Sequence, residues 1–375
     1  MQRGPLSEMP GKLDAVADID TQPEQVCRVC GRASPLIAGW LGVCLTCLRE
    51  APAEALDVAA EAHRQARRLF GLPEDAPRAE GGCRCGSCVQ GCVIGEGERG
   101  FCGLRQVRGG KLHHLAGTAE RGLFHWYRDG LPTNCVADPF CSGHSQRGRH
   151  NLAVFYSSCT MDCLFCQNYH FRESDPTRSD LRSADALAAV ANDRTHCVCF
   201  FGGDPASQMD HALAAGRGLA ERGVSVCWET NGTARPSLMD QALELALTSG
   251  GCVKIDLKAL NETLHRALTG ASNALTLENV ARAAERLDER PQPPPLVVST
   301  LLVPGYIDAA EVGRIAHFIA AANPAVPYVL LGFAPHFLFP DLPRTSVAEA
   351  AAAEAAAPGT GLERVRIGNR HLLSR

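Results

Sequence analysis

The chain of 375 residues is long enough for one large domain and a smaller companion. Its 45% hydrophobic and 21% charged residues and formal charge of -4 suit a soluble globular protein, and they give no electrostatic reason to expect nucleic acid as a partner. Met1–Gln25 lacks a basic start followed by an apolar stretch, and nowhere do about 18 apolar residues run together. The expectation is therefore a cytoplasmic protein without a membrane anchor. In that reducing compartment 18 closely spaced cysteines point to metal ligation rather than disulfides.

Residues 1–25 are polar, with Gly4, Pro5, Pro10 and Pro23, and are expected to be a disordered tail. Over 26–72, Cys27-x-x-Cys30 and Cys44-x-x-Cys47 have the spacing of a four-thiolate zinc knuckle or ribbon, with a rubredoxin-like iron site as the alternative; the ion replaces a core that so short a segment cannot build. An amphipathic helix follows, with Leu56, Ala59, His63, Ala66 and Phe70 at three- and four-residue steps, and is expected to cap this patch. Pro73–Glu80 reads as a linker.

A second cysteine-rich segment fills 80–150. Cys85, Cys88, Cys92 and Cys102 could bind zinc or a second iron–sulfur cluster, with Cys83 as a substitute for Cys85, and Cys135 and Cys141 could complete a site or serve the active site. The basic stretches Arg64–Arg68 and Arg147–His150 read as solvated or cofactor-lining surface.

From 151 to 370 short apolar runs alternate with helical periods, the pattern of βα units and a parallel sheet. Strands are expected near Leu152–Ser157, Cys197–Phe201, Val224–Trp228, Val253–Leu257, Val297–Leu302, Tyr328–Leu331 and Val365–Ile367. Helices are expected at Ser183–Asn192, Pro205–Arg222, Pro236–Thr248, Leu275–Leu287, Ala309–Ala321 and Thr345–Ala356. The fold class is α/β: a partial or complete parallel TIM-like barrel with a cysteine-rich amino-terminal extension. Cys197, Cys199, Cys227 and Cys252 fall on or beside strands and read as small core residues.

Directly after the first of these strands stands Cys159-Thr-Met-Asp-Cys163-Leu-Phe-Cys166, a CxxxCxxC. Three thiolates on one loop can hold three irons of a 4Fe-4S cube and leave the fourth open to another ligand. Glycine-rich or polar turns follow later strands: Gly202-Gly203-Asp204-Pro205, Glu229-Thr230-Asn231-Gly232, and Asp256-Leu257-Lys258. Strand ends of this kind are where α/β enzymes assemble their sites.

These motifs resemble the radical S-adenosylmethionine (SAM) superfamily, with the triplet as its defining motif and Gly202-Gly203-Asp204-Pro205 in the place of its GGEP loop. Glu229–Gly232, Lys254–Lys258, Leu268–Asn273 and Val303–Asp308 are similar to loops of the pyruvate formate-lyase and other glycyl-radical-enzyme activating enzymes. Cys85-x-x-Cys88-x-x-x-Cys92 with Gly100-Phe-Cys102-Gly, and Ile367-Gly-Asn369, resemble an uncharacterised activase-like (AmmeMemoRadiSam-type) group.

The resemblance implies a radical SAM enzyme whose 4Fe-4S cluster sits on Cys159, Cys163 and Cys166. Such an enzyme reductively cleaves SAM to a 5'-deoxyadenosyl radical that abstracts hydrogen from a substrate, a protein glycine being one candidate. Phe165, Gly202, Gly203, Asp204, Glu229, Asn231, Asp256, Lys258 and His336 are then cofactor-binding, with Gln167–Asn168 matching the family's polar pair after the triplet. A flavodoxin or ferredoxin is the implied electron donor. The alternatives are radical modification of a small molecule or peptide and, in a different class, a zinc-binding scaffold or nucleic-acid-binding module.

Overall fold

A computed structural model describes residues 23–133 and 135–375. The expected tail lies outside them up to residue 22. The amino-terminal part consists of β1 (Gln25–Val26), β2 (Ala33–Ser34), α1 (Leu45–Glu50), α2 (Pro52–Arg68), β3 (Cys83–Arg84), β4 (Val93–Ile94), β5 (Arg105–Arg108) and β6 (Lys111–His114). There follow β7 (Phe124–Gly130), β8 (His150–Tyr156), α3 (Ala184–Ala188), β9 (Thr195–Phe201), α4 (Met209–Ala220), β10 (Ser225–Thr230), α5 (Pro236–Ser249) and β11 (Val253–Asp256). The last elements are α6 (Glu262–Thr269), α7 (Ala274–Glu285), β12 (Leu296–Leu302), α8 (Ala309–Ala322), β13 (Tyr328–Gly332), α9 (Val347–Ala356) and β14 (Val365–Ile367).

Strands β7 to β14 form one 8-stranded sheet in sequential order. β8 to β14 are parallel, and β7 pairs antiparallel with β8 at one edge. Because the order never reverses, right-handed crossovers place every connecting helix on the same face. A doubly wound sheet, with its reversal of order, is excluded, and β7 and β14 do not pair, so the barrel is partial. Side-chain parity shows the division. Val198, Phe200, Val226, Trp228, Val253, Ile255, Val298 and Leu330 join the large core, whereas Cys199, Cys227, Cys252, Val297 and Val329 form a separate cluster on the opposite face. The loop containing Cys135, Ala137, Phe140 and Cys141 packs into that cluster and covers the face that the helices leave bare.

All seven expected strands are present with end shifts of a few residues. The helix expected over Pro205–Arg222 begins as a 3-10 turn (Pro205–Gln208), capped by the Asp204 carboxylate, before α4 takes over. Besides α1 and the short strands β1 to β6, the elements β7 and α6 were not foreseen. β7 is an exposed edge strand with little apolar alternation, and α6 is one short helix capped by Asn261 and ended by Gly270 at φ +66.

The amino-terminal segments are built onto the barrel. The Val303–Asp308 turn is their socket. Tyr306 donates its hydroxyl to the Val43 carbonyl (2.9 Å) and accepts the Ala38 amide (3.0 Å), and Gly305 lies so close that a Cβ there would stand 2.1 Å from the Leu36 carbonyl. Asp308 caps α8 and receives both guanidinium nitrogens of Arg49. α2 packs on α1, as expected of a cap for the cysteine patch, and equally on α6. Pro73–Glu80 is no free linker: Arg67 donates to the Pro73 carbonyl, and the Ala79 amide bonds Val93 O at 2.9 Å. The reading of Arg64–Arg68 and Arg147–His150 as surface also fails at two positions, since Arg67 and His150 are buried.

His211 on α4 is buried. Its Nε2 donates to the Arg182 carbonyl (3.1 Å), and in the neutral ring Nδ1 accepts the Tyr156 hydroxyl (2.9 Å). Burial lowers its pKa to about 4, and the same cause takes buried His265 to about 4. An unfolded histidine titrates near 6.5. The stability gained by keeping these rings neutral is therefore complete above about pH 6.5 and lost as pH falls toward 4. The melting temperature should drop by several degrees between about pH 7 and 5, and His211→Gln, which keeps a donor and an acceptor, should flatten that slope in thermal scans. An equal slope in the variant would contradict the assignment.

Candidate active site

At the carboxyl ends of β8 to β13 lies a cavity of about 210 Å³. Cys159, Cys163 and Cys166 line it together with Phe165, Gln167, Asn168, Gly202, Gly203, Asp204, Glu229, Asn231, Asp256 and Lys258. Thus the structure gathers the cysteine triplet and every cofactor-binding candidate except His336 into one place. His336 does not line the cavity; its carbonyl accepts the Phe339 amide (3.0 Å) in a turn, and its Nδ1 is buried without a partner.

The cysteine loop is irregular backbone, and its position comes from outside itself. The Asp162 amide bonds Thr269 O (2.7 Å) and the Leu164 amide bonds Leu268 O (3.3 Å), so the end of α6 serves as its backing. The Asp162 side chain is fully buried and meets three basic groups. Arg172 approaches at 3.0 Å, Arg67 at 3.5 Å and His63 Nδ1 at 3.1 Å. Burial pushes the Asp162 carboxyl up, yet the two arginines and the His63 hydrogen bond hold it below its usual pKa. Two arginines exceed the charge of one carboxylate, and their positive field extends to the Cys159 sulfur. Without metal, burial raises the Cys159 and Cys163 thiols, Cys163 to about 12. A bound cluster deprotonates its cysteines, and the surplus cationic charge suits the anionic group that results.

The glycines act through close packing. A Cβ on Gly203 would lie 2.1 Å from the Tyr156 carbonyl, and one on Gly202 would lie 2.0 Å from the Phe155 ring; both have positive φ. Asp204 is spent inside the protein: it accepts from Ala206 N (2.7 Å), Thr230 Oγ1 (2.9 Å) and Asn231 N (2.6 Å), which staples the turn after β9 to the turn after β10. Burial raises its pKa to about 6. Asn231 in turn donates to Thr160 Oγ1 (2.9 Å) and lies 3.7 Å from the Cys159 sulfur. Asp256 pairs with Lys258 while its Oδ1 is buried without a partner at the cavity wall, a free acceptor for a polar ligand. Phe165 packs against Phe333 and Phe339, with the Lys258 ammonium 5.6 Å from its ring centroid. Core residue and cavity wall are thus the same side chain.

Glu229 is partly exposed to the cavity and bonds buried Lys254 (3.2 Å), whose ammonium also touches the sulfurs of Cys199 (2.9 Å) and Cys135 (3.2 Å). The strand cysteines are core residues, as read, but they surround a charge. Away from the cavity, Cys27, Cys30, Cys44 and Cys47 bring their sulfurs within 4.8 Å of one another, with Cys27–Cys47 and Cys30–Cys44 both at 3.8 Å. Four thiolates about 2.3 Å from one tetrahedral ion require nearly this separation. The sequence reading missed Asp162, Arg172, His63 and Arg67; an acidic residue between two cysteine ligands was the one available signal.

Residues 153–319 match the radical SAM superfamily, and the chain carries the radical SAM domain of an enzyme. The chain is 32% identical over 139 residues to the isethionate sulfite-lyase activating enzyme of Oleidesulfovibrio alaskensis, covering 36% of this chain and 42% of that protein. It is 31% identical over 135 residues to the pyruvate formate-lyase 1-activating enzyme of Escherichia coli K12 (33% and 52%). An uncharacterized protein of Methanocaldococcus jannaschii is 26% identical over 302 residues, or 76% of this chain and 81% of that one. The chain spans about half the length of the activating enzymes it matches. No helix among the described residues is long and apolar enough to cross a membrane.

Replacing Asp162 by Asn removes one carboxylate from beneath three buried basic groups. Breaking such a pair typically costs about 3–5 kcal/mol, so the variant should unfold at markedly lower denaturant than the wild type and lose iron on gel filtration. Retention of both wild-type stability and iron would show that the network does not hold the loop.

Proposed function

We propose that this protein is a radical SAM enzyme that forms a 5'-deoxyadenosyl radical and abstracts a hydrogen atom from a substrate, a glycine of a partner protein being the substrate class its relatives suggest. The convergence of Cys159, Cys163 and Cys166 with Asn231, Asp256 and Lys258 on one cavity carries this reading. When bound at the three cysteines, a 4Fe-4S cluster with an open iron supplies the electron that breaks the carbon–sulfur bond of SAM.

The chain itself contributes placement and shelter. Asp256 Oδ1 offers the acceptor for the ligand's hydroxyl or ammonium protons, and Phe165 offers an apolar wall for its base. Lys258 keeps positive charge beside Cys163, favouring its thiolate. Asp204 is a positioning residue, fixing Thr230 and Asn231 rather than facing the ligand. Gly202 and Gly203 let the turn close on β8, which narrows water access. A flavodoxin- or ferredoxin-class protein is the proposed reductant, and a zinc ion the proposed occupant of the Cys27–Cys47 quartet.

Anaerobically reconstituted protein given dithionite and SAM should release 5'-deoxyadenosine, and Cys163→Ala should reduce that release by at least about a hundredfold while leaving zinc content unchanged. Undiminished product from the variant would refute the assignment. Cys30→Ser should lose zinc, read by metal analysis, and melt at lower temperature. Zinc absent from the wild type would refute that occupant.

A further inference from the structure

Four cysteines outside the cavity converge on a second place. Cys85, Cys88, Cys92 and Cys102 line one small hollow together with Gly86, Ser87, Gly100 and Phe101. Backbone bonds arrange the loops around it: Cys85 N to Cys92 O at 3.0 Å and Gly103 N to Gly100 O at 2.8 Å. The Cys92 sulfur accepts the Phe101 amide (3.4 Å), as the Cys159 sulfur accepts the Met161 amide (3.4 Å). Cys83 turns away to the Gly110 carbonyl (3.3 Å), so it does not replace Cys85.

The spacing of the sulfurs separates the two kinds of metal group. The Cys27 quartet is contracted to within 4.8 Å, the geometry of one tetrahedral ion. Neither the Cys85–Cys102 set nor the Cys159–Cys166 triplet contracts this far. A cube binds each thiolate to a different iron and therefore holds its sulfurs farther apart than ligands of a single ion. The second set is thus less contracted than the zinc-type quartet, as the triplet is.

Its location is specific. Ser158, adjacent to Cys159, donates its hydroxyl to the Cys102 carbonyl (2.8 Å), and Gln90 donates to the Thr160 carbonyl (2.9 Å) on the other side of Cys159. Val89 N bonds Thr233 O at 3.0 Å, tying the same loop to the turn after β10. Gly86 on the hollow's rim is exposed, so the site stands between solvent and the cysteine loop.

We propose that Cys85, Cys88, Cys92 and Cys102 hold a second 4Fe-4S cluster that receives electrons from a low-potential donor protein and passes them to the cluster on Cys159, Cys163 and Cys166. Four cysteine ligands leave no iron open, which limits the group to electron transfer. Each transfer oxidises the donor by one electron and reduces the receiving cluster by one, with no bond made or broken. The relay role rests on the radical SAM reading, whereas the occupancy of the site does not.

The full chain, reconstituted anaerobically with iron and sulfide, should contain about eight irons, read by mass spectrometric metal analysis. The triple variant Cys159→Ala, Cys163→Ala, Cys166→Ala should retain about four, with an electron paramagnetic resonance signal after dithionite that SAM leaves unchanged. Loss of all iron from this variant, or a second zinc in its place, would overturn the site. The pair Cys88→Ser, Cys92→Ser should keep a SAM-sensitive signal and dithionite-driven 5'-deoxyadenosine release, yet lose about tenfold or more of the rate with reduced flavodoxin. An unchanged flavodoxin rate would overturn the relay. A SAM-insensitive signal in this pair variant would instead count against the radical SAM reading, so the two failures are distinguishable. If the pair variant does not fold, the triple variant alone decides the occupancy.

Discussion

The buried carboxylate of Asp162 is the contact on which the active-site architecture turns. It lies inside the cysteine loop, between ligands, and draws together Arg172 from the loop's far end and Arg67 and His63 from α2. A carboxylate taken out of water must be paired, and the pairing partners come from segments about a hundred residues apart. The consequence is mechanical coupling. The loop that would carry iron is thereby tied to α2 as well as to the end of α6.

This coupling explains why the amino-terminal half behaves as part of the enzyme and not as an appended module. Tyr306 and Gly305 fit the backbone of Leu36–Val43, Arg49 reaches Asp308 on the cap of α8, and α2 spans from the zinc-type quartet to the cysteine loop. The second cysteine segment is clamped on both sides of Cys159 through Ser158 and Gln90. The second cysteine segment and the triplet are therefore connected through short hydrogen-bonded paths that hold the two at a fixed separation.

The opposite face of the sheet has a different logic. With all helices on one side, the concave face needs filling, and the Cys135–Cys141 loop enters it. Lys254 is buried there with soft sulfur neighbours and Glu229 as its counterion. That ion pair fixes the Glu229 carboxylate at the cavity wall, so a residue chosen from its motif owes its orientation to a lysine on the next strand.

Much was legible in the chain itself. Strand and helix order followed from apolar periods, because parallel strands buried on both faces read as continuous apolar runs. The triplet, the Gly202-Gly203-Asp204 turn and Asp256 with Lys258 could be identified because their spacing is local and their chemistry is inherent in the residue types. What the sequence could not disclose were the non-local terms: that Asp204 faces inward to Thr230 and Asn231, that His336 stays out of the cavity, that Arg67 is buried, and that Cys102 abuts Ser158. Each depends on which segments meet in space. Local pattern determines what a residue can do, while burial and the partners that burial demands decide what it does, and those are settled only when the chain has folded.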